Sequence, residues 1–234
     1  MSPNPLFSDR TDAGEQLAKA IRGELAQLNA AGVSAQPIVY ALPRGGIPVA
    51  APIAQALNCP INIVVAKKIT KPQNPELAIG ALTADGHILW SKSKPFGKNQ
   101  QHLQEAAVHQ AREKAIAQEA EFSPSCPRVS AEGAIAILVD DGIATGMTMA
   151  VAAQSLRAQR PEQLWITAPV APAELMAELH QWGSRAIVLE TPHPFLSVSR
   201  FYVEFPQVES SVALVYLQQH NSQWGIGNEQ DVSG

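Results

Sequence analysis

A short apolar run that stops at a turn and leads into a segment of helical period recurs along this chain. That couplet restricts the fold more than any other feature of the sequence. Residues 37–42 form such a run, ending at Pro43-Arg44-Gly45-Gly46, and a small-residue helix is expected over 48–57. Residues 61–66 read as a second strand. Residues 134–139 form another, followed by a helix over 146–160 with Met149, Val151, Ala152 and Leu156 turned inward. A strand over 163–170, a helix over 172–182 and a strand over 185–189 complete the series. An amphipathic helix over 9–30, with Leu17, Ile21, Leu25 and Leu28 at helical spacing, precedes it. Strands alternating with helices predict a parallel sheet covered by helices on both faces. Right-handed crossovers then place every strand-to-helix loop at one sheet edge, where ligands of such folds bind.

The middle of the chain departs from this pattern. Lys71-Pro72-Gln73-Asn74-Pro75 is turn-like, and short strands are expected over 77–82 and 87–90 around the turn at Asp85-Gly86. Lys92, Lys94 and Lys98 make a basic stretch ahead of a charged, Ala-rich helix over 99–121, which Ser123-Pro124-Ser125-Cys126-Pro127 breaks. A Pro- and aromatic-rich stretch over 191–206 leads to a short helix over 208–219, and a frayed tail is expected after Asn221.

Composition narrows the class. With 234 residues, 46% of them hydrophobic, the chain can bury a sizeable core. A formal net charge of -4 leaves no basic surplus for general nucleic-acid binding, so an anionic ligand must be met by a local site. Cys59 and Cys126 stand apart, outside any metal-ligand or redox spacing, and read as unpaired thiols in a reducing compartment. No apolar run approaches the ~20 residues of a membrane span. The start, Met1-Ser2-Pro3-Asn4-Pro5, lacks the features of a secretory signal. The expectation is a cytoplasmic protein with no membrane and no nucleic-acid partner.

The strongest chemical signal follows the strand over 134–139. Two acids, Asp140 and Asp141, precede Gly142-Ile143-Ala144-Thr145-Gly146-Met147-Thr148 at the start of a helix. A turn carrying Gly142 and Gly146 can aim successive backbone N–H groups at one anion, and the helix start adds unpaired donors and a positive dipole end. Thr145 and Thr148 add hydroxyl donors. Such a loop suits a phosphate monoester. Asp140 and Asp141 would repel that phosphate, so they must face something else: vicinal sugar hydroxyls or a hydrated Mg2+. Together these elements fit a ribose 5-phosphate. Met147, where a P-loop would carry Lys, separates this loop from the Walker A class.

Val139 to Thr148 resembles the phosphoribosyl-pyrophosphate (PRPP) signature of type I phosphoribosyltransferases: apolar residues, two acids, Gly, two residues, Thr-Gly, one residue, Thr. The resemblance extends from about Phe7 to Leu217. It takes in Lys71-Pro72-Gln73-Asn74-Pro75-Glu76-Leu77-Ala78-Ile79-Gly80-Ala81 and the N-terminal Asp9-Arg10-Thr11-Asp12-Ala13-Gly14, both similar to blocks of an uncharacterised bacterial subgroup. It implies an α/β fold of the type I phosphoribosyltransferase kind, with a parallel sheet, a small hood and a flexible lid. The expected division is a core over 1–190 that includes a lid over about 67–100, a hood and C-terminal helix over 191–220, and a disordered tail over 221–234.

The resemblance also implies site roles. Asp140 and Asp141 would meet the ribose hydroxyls, and Mg2+ directly or through water; Ala144 to Thr148 would surround the 5-phosphate. Arg44 can fork onto two pyrophosphate oxygens, and Gly45 and Gly46 permit close backbone approach. The family places a pyrophosphate loop here, often with a non-proline cis peptide, expected at Arg44–Gly45. Either Lys67 or Lys68 would reach the pyrophosphate, with Lys67 favoured by the resemblance; the alternative is a solvated charge pair. Glu76 could stabilise an oxocarbenium-like ribose or pair with Lys71. Phe195, Phe201 and Tyr202 could stack on an acceptor or simply cover the sheet. Val198-Ser199 stands where purine enzymes carry Val-Gly, and His193 has no companion at metal-ligand spacing.

The function this implies is a pentosyltransferase of nucleotide metabolism, moving the 5-phosphoribosyl group of PRPP to a nitrogenous base or related amine with release of pyrophosphate. Mg2+ would be the cofactor, Arg44, Asp140 and Asp141 the catalytic residues, and a homodimer the expected assembly. The alternatives are a regulatory protein that senses PRPP or a nucleotide without turnover, and hydrolysis or phosphorolysis of a nucleotide.

Overall fold

A computed structural model gives the chain's structure at residues 5–71, 74–91 and 101–224, backbone alone at 75 and 76. In chain order the elements are α1 (Arg10–Ala30), β1 (Pro37–Ala41), α2 (Gly46–Leu57), β2 (Ile61–Ile63), β3 (Ala66–Lys71), β4 (Asn74–Thr83), β5 (Ile88–Trp90), α3 (Gln101–Phe122), β6 (Ile135–Val139), α4 (Met147–Ala158), β7 (Gln163–Val170), α5 (Met176–Trp182), β8 (Arg185–Glu190) and α6 (Ser210–Asn221). Five strands form one sheet in the order β2-β1-β6-β7-β8, all pairs parallel.

Alternation along each strand sends side chains to two cores. Val39 and Ala41 of β1 join Ile135, Ile137 and Val139 of β6 beneath α1, α2 and α6. Ile38 and Tyr40 join Ala136 and Leu138 on the opposite face, covered by Met149, Ala152 and Leu156 of α4 and Leu179 of α5. Both faces are therefore buried, which is why these strands read as continuous apolar runs. Among the described residues, no helix is long and apolar enough to cross a membrane.

The strand expected over 61–66 is two strands in two sheets. β1 ends at Ala41, opposite Ile63, and Val64 N–H makes a last bond to the Ala41 carbonyl. Beyond that point β2 has no partner, and the chain leaves to start the antiparallel sheet β3-β4-β5 at Ala66. Ile69, Ile79 and Leu82 of this small sheet pack on Ala107, Ala111 and Ala115 of α3. Much of the segment read as a lid is thus built structure with its own apolar core. Residues 72–73 and 92–100 and the Glu76 side chain, which belonged to that reading, lie outside the described residues.

Candidate active site

The C-terminal end of β6 carries the signature loop. Ile143 anchors its middle: the side chain is buried and its N–H bonds the Val170 carbonyl at 2.9 Å. Ala144 and Thr145 are exposed, and Thr148 is half-buried. Gly146 reverses the chain at φ 71°, ψ -5°, in the left-handed region, and α4 begins at the next residue without a side-chain cap. The first helical N–H groups lack intrahelical acceptors, so they stand open at the loop. Gly146 also packs on α5, where a Cβ would come within 2.6 Å of the Trp182 ring. Gly142 has no room for a Cβ against Val198 of the hood segment.

The two acids occupy different environments. Asp140 Oδ1 accepts the Asp141 N–H at 2.9 Å. Asp141 Oδ2 accepts from Arg10 Nε at 2.8 Å, with the two side chains 17% and 9% exposed. Tyr202 donates its hydroxyl to the Asp141 carbonyl at 2.6 Å. Desolvation, reinforced by the Asp141 charge, pushes the Asp140 carboxyl well above its ordinary range. Desolvation raises Asp141 too, opposed by the Arg10 guanidinium.

The Pro43–Gly46 segment lies directly against this pair. Leu42 N–H bonds the Val139 carbonyl at 2.9 Å, and the Gly45 backbone is pressed so closely on the Asp141 carboxylate that a Cβ would overlap it. A Cβ on Gly46 would fall 2.7 Å from the Val139 carbonyl oxygen. The cis peptide is Pro43–Arg44, one bond earlier than expected at Arg44–Gly45. Gly45 already has helical angles (φ -60°, ψ -34°) as the cap of α2, so the change of direction falls ahead of it. Half-buried Arg44 donates from Nη1 to Ser210 Oγ at 3.4 Å, at the start of α6.

Strand alternation separates the two lysines: Lys67 is half-buried, whereas Lys68 on the other face of β3 is exposed. Desolvation lowers the Lys67 pKa, with Arg44 and Lys114 adding repulsion. Lys67 therefore shares its surroundings with Arg44. Lys114, brought near Lys67 by α3, was absent from the sequence expectations; nothing in a charged helix marks which lysine comes near a given strand.

The hood aromatics divide. Phe201 is 0% exposed and Tyr202 is buried, both packed with Phe7, Ala13 and Val170. Phe201, expected as a stacking residue, has no open face because this small core encloses it. Phe195 is half-buried, 5.2 Å from the Phe201 ring centroid. His193 is exposed, and its bond to Pro194 is cis. Arg10 was missed as a site residue, although the Asp-Arg-x-x-Ala-Gly pattern containing it was visible.

The molecule is thus an α/β protein whose doubly covered parallel sheet carries an uncapped helix start and an acid pair at its C-terminal edge. The family model described as the phosphoribosyl transferase domain matches residues 8–180, and the chain belongs to that family. Proteins from Mycobacterium tuberculosis strains CDC 1551 and H37Rv, both provisionally named as phosphoribosyl transferases, are 35% identical over 216 residues. The match covers 91% of this chain and 46% of each relative, so the chain spans about half the length of these curated relatives. The crystal structure of TT1426 from Thermus thermophilus superposes with a TM-score of 0.73 at 29% identity, covering 91% of this chain and 98% of that one.

Proposed function

We propose that the chain is a PRPP-dependent phosphoribosyltransferase. The observation that carries this reading is the packing of Gly45 on Asp141. It sets the Pro43–Gly46 loop beside the acid pair and the open start of α4. In this reading the N–H groups around Ala144 to Thr148 and the Thr145 and Thr148 hydroxyls hold the 5-phosphate. Asp140 and Asp141 orient the ribose hydroxyls, and Arg44 with Lys67 holds the pyrophosphate. The bond from the ribose anomeric carbon to pyrophosphate breaks. A bond from that carbon to the acceptor nitrogen forms, and the nitrogen's proton passes to the acid nearer the acceptor. The core over 1–190 supplies these groups and the hood over 191–220 covers the acceptor, with Phe195 the one of the three hood aromatics Phe195, Phe201 and Tyr202 that is only half-buried.

Among the described residues no cluster of three or more His, Cys, Asp or Glu could cage a metal. The donor set fits Mg2+ carried on the substrate's own pyrophosphate, with Asp140 and Asp141 reached through water. There the ion would neutralise charge on the leaving group.

Calorimetric titration of PRPP with and without Mg2+, on wild type and on the double variant Asp140→Asn/Asp141→Asn, tests the reading. Mg2+-dependent binding lost in the variant is expected, followed by pyrophosphate release with a suitable nitrogenous base. Absence of binding at millimolar PRPP would sink it. Binding without pyrophosphate release across a panel of bases would favour a sensing role.

A further inference from the structure

Asp9-Arg10-Thr11-Asp12-Ala13-Gly14 is spatially part of the site although Arg10 lies 131 positions before Asp141 in sequence. Asp9 caps α1 by accepting the Asp12 N–H at 2.9 Å. Ala13 is buried among Phe7, Val170, Phe201 and Tyr202. Gly14 lets α1 lie on α2, since a Cβ would come within 2.5 Å of the Val49 carbonyl oxygen. These three residues fix where α1 starts and how it lies, and Arg10 is its first residue.

From that position Arg10 reaches two segments remote in sequence, at Asp141 and at Phe205-Pro206. Its Nε donates to Asp141 Oδ2 at 2.8 Å, and Nη1 donates to the Pro206 carbonyl at 2.8 Å. Its guanidinium lies over the Phe205 ring, 3.7 Å from the centroid. The planar fork is held by ring and carbonyl before it meets the carboxylate, so the pair needs little further ordering. The same Asp141 Oδ2 is also the carboxylate atom nearest to Gly45. One oxygen of Asp141 is therefore committed to Arg10, and the whole group is clamped between the chain's first helix and the Pro43–Gly46 loop. Asp140 is held differently: its Oδ1 accepts the neighbouring Asp141 N–H.

We propose that Arg10 is a positioning residue of the phosphoribosyl site, holding Asp141 as a fixed carboxylate so that the loop tolerates two adjacent acids beside a phosphorylated sugar. The proposal rests on the reading of this loop as a PRPP site. Asp141 then serves as the rigid ribose anchor, held at Oδ2 by Arg10, and Asp140 is the acid of the pair that Arg10 does not hydrogen-bond.

The test is a double-mutant cycle read by PRPP titration in Mg2+ buffer. Arg10→Met keeps the length and apolar contact with Phe205 but removes the charge. It should weaken PRPP binding by roughly tenfold or more in the wild-type background. It should have a clearly smaller effect in an Asp141→Asn background, because the hydrogen bond from Arg10 to the acid pair is made to that carboxylate. Ethylguanidinium added to Arg10→Ala should restore part of the affinity, which a purely architectural role would not predict. Thermal melts accompany each variant. If Arg10→Met does not fold, Arg10→Lys takes its place, with a smaller loss expected on the same background only. Wild-type affinity in the Arg10 variants, or an equal loss in both backgrounds, overturns the proposal while leaving the PRPP reading standing. No PRPP binding by wild type overturns both.

Discussion

The side-chain amide of Asn221 closes both backbone hydrogen-bonding groups of Ile61. Its Oδ1 accepts the Ile61 N–H at 3.0 Å, and its Nδ2 donates to the Ile61 carbonyl at 2.8 Å. β2 is an edge strand, and the amide acts there as a substitute strand neighbour. The same Nδ2 donates to the Ser125 carbonyl at 2.9 Å, tying the end of α6 to the 3-10 turn that follows α3. Asn221→Ala leaves these buried groups unpaired and should cost about 2–4 kcal/mol, measured by urea unfolding. A change under about half a kcal/mol would mean that water replaces the amide freely.

Gly146 combines a left-handed backbone with contact on Trp182. Gly146→Ala meets both penalties and should destabilise the fold by about 1–3 kcal/mol. The turn it distorts is the one proposed to hold the 5-phosphate. PRPP affinity should therefore fall by more than the melting temperature suggests, with calorimetry and melts run on the same protein. Wild-type affinity in a folded variant would place the phosphate elsewhere.

What the sequence made legible follows from which interactions are local. Strand and helix periods exposed β1, β6, β7 and α4, because each buries one face or both. The acid pair and Gly146 stood out because a turn at a strand end needs particular residue types at particular places. The break between β2 and β3 did not show, since Ile61 to Ala66 is almost uniformly apolar and only the end of β1 stops the pairing. Phe201 was misassigned for a related reason: an aromatic-rich stretch does not say which ring turns inward. Arg10 meets Asp141 across 131 positions, and no local pattern announces such a pair.

The division of the hood aromatics is testable by stability. Phe201 is fully enclosed, so Phe201→Ala should cost about 3–5 kcal/mol in denaturant unfolding. Phe195→Ala removes a half-buried ring and should cost clearly less. If Phe195 lies over the acceptor, its loss should raise the acceptor KM while PRPP affinity holds. Equal stability losses at the two positions would show that both rings are core.

Asp140 links the site to stability through its proton. Its carboxyl is raised well above the ordinary range by desolvation and by the neighbouring Asp141 charge. In the unfolded chain it titrates near the ordinary value of about 3.9. Between those two values the folded state binds more protons than the unfolded state, so this group's contribution to stability falls as pH rises through the window. Below the window both states are protonated and the cost vanishes; above it the cost is complete. Asp140→Asn keeps an acceptor for the Asp141 N–H and removes the charge. The variant should therefore melt higher than wild type at neutral pH, with a gap that closes as pH falls toward about 4. The gain should come with lost PRPP binding, the exchange expected where a site strains the fold that carries it. A melting gap that stays constant across this pH range would mean that Asp140 is as well solvated in the folded chain as in the unfolded one.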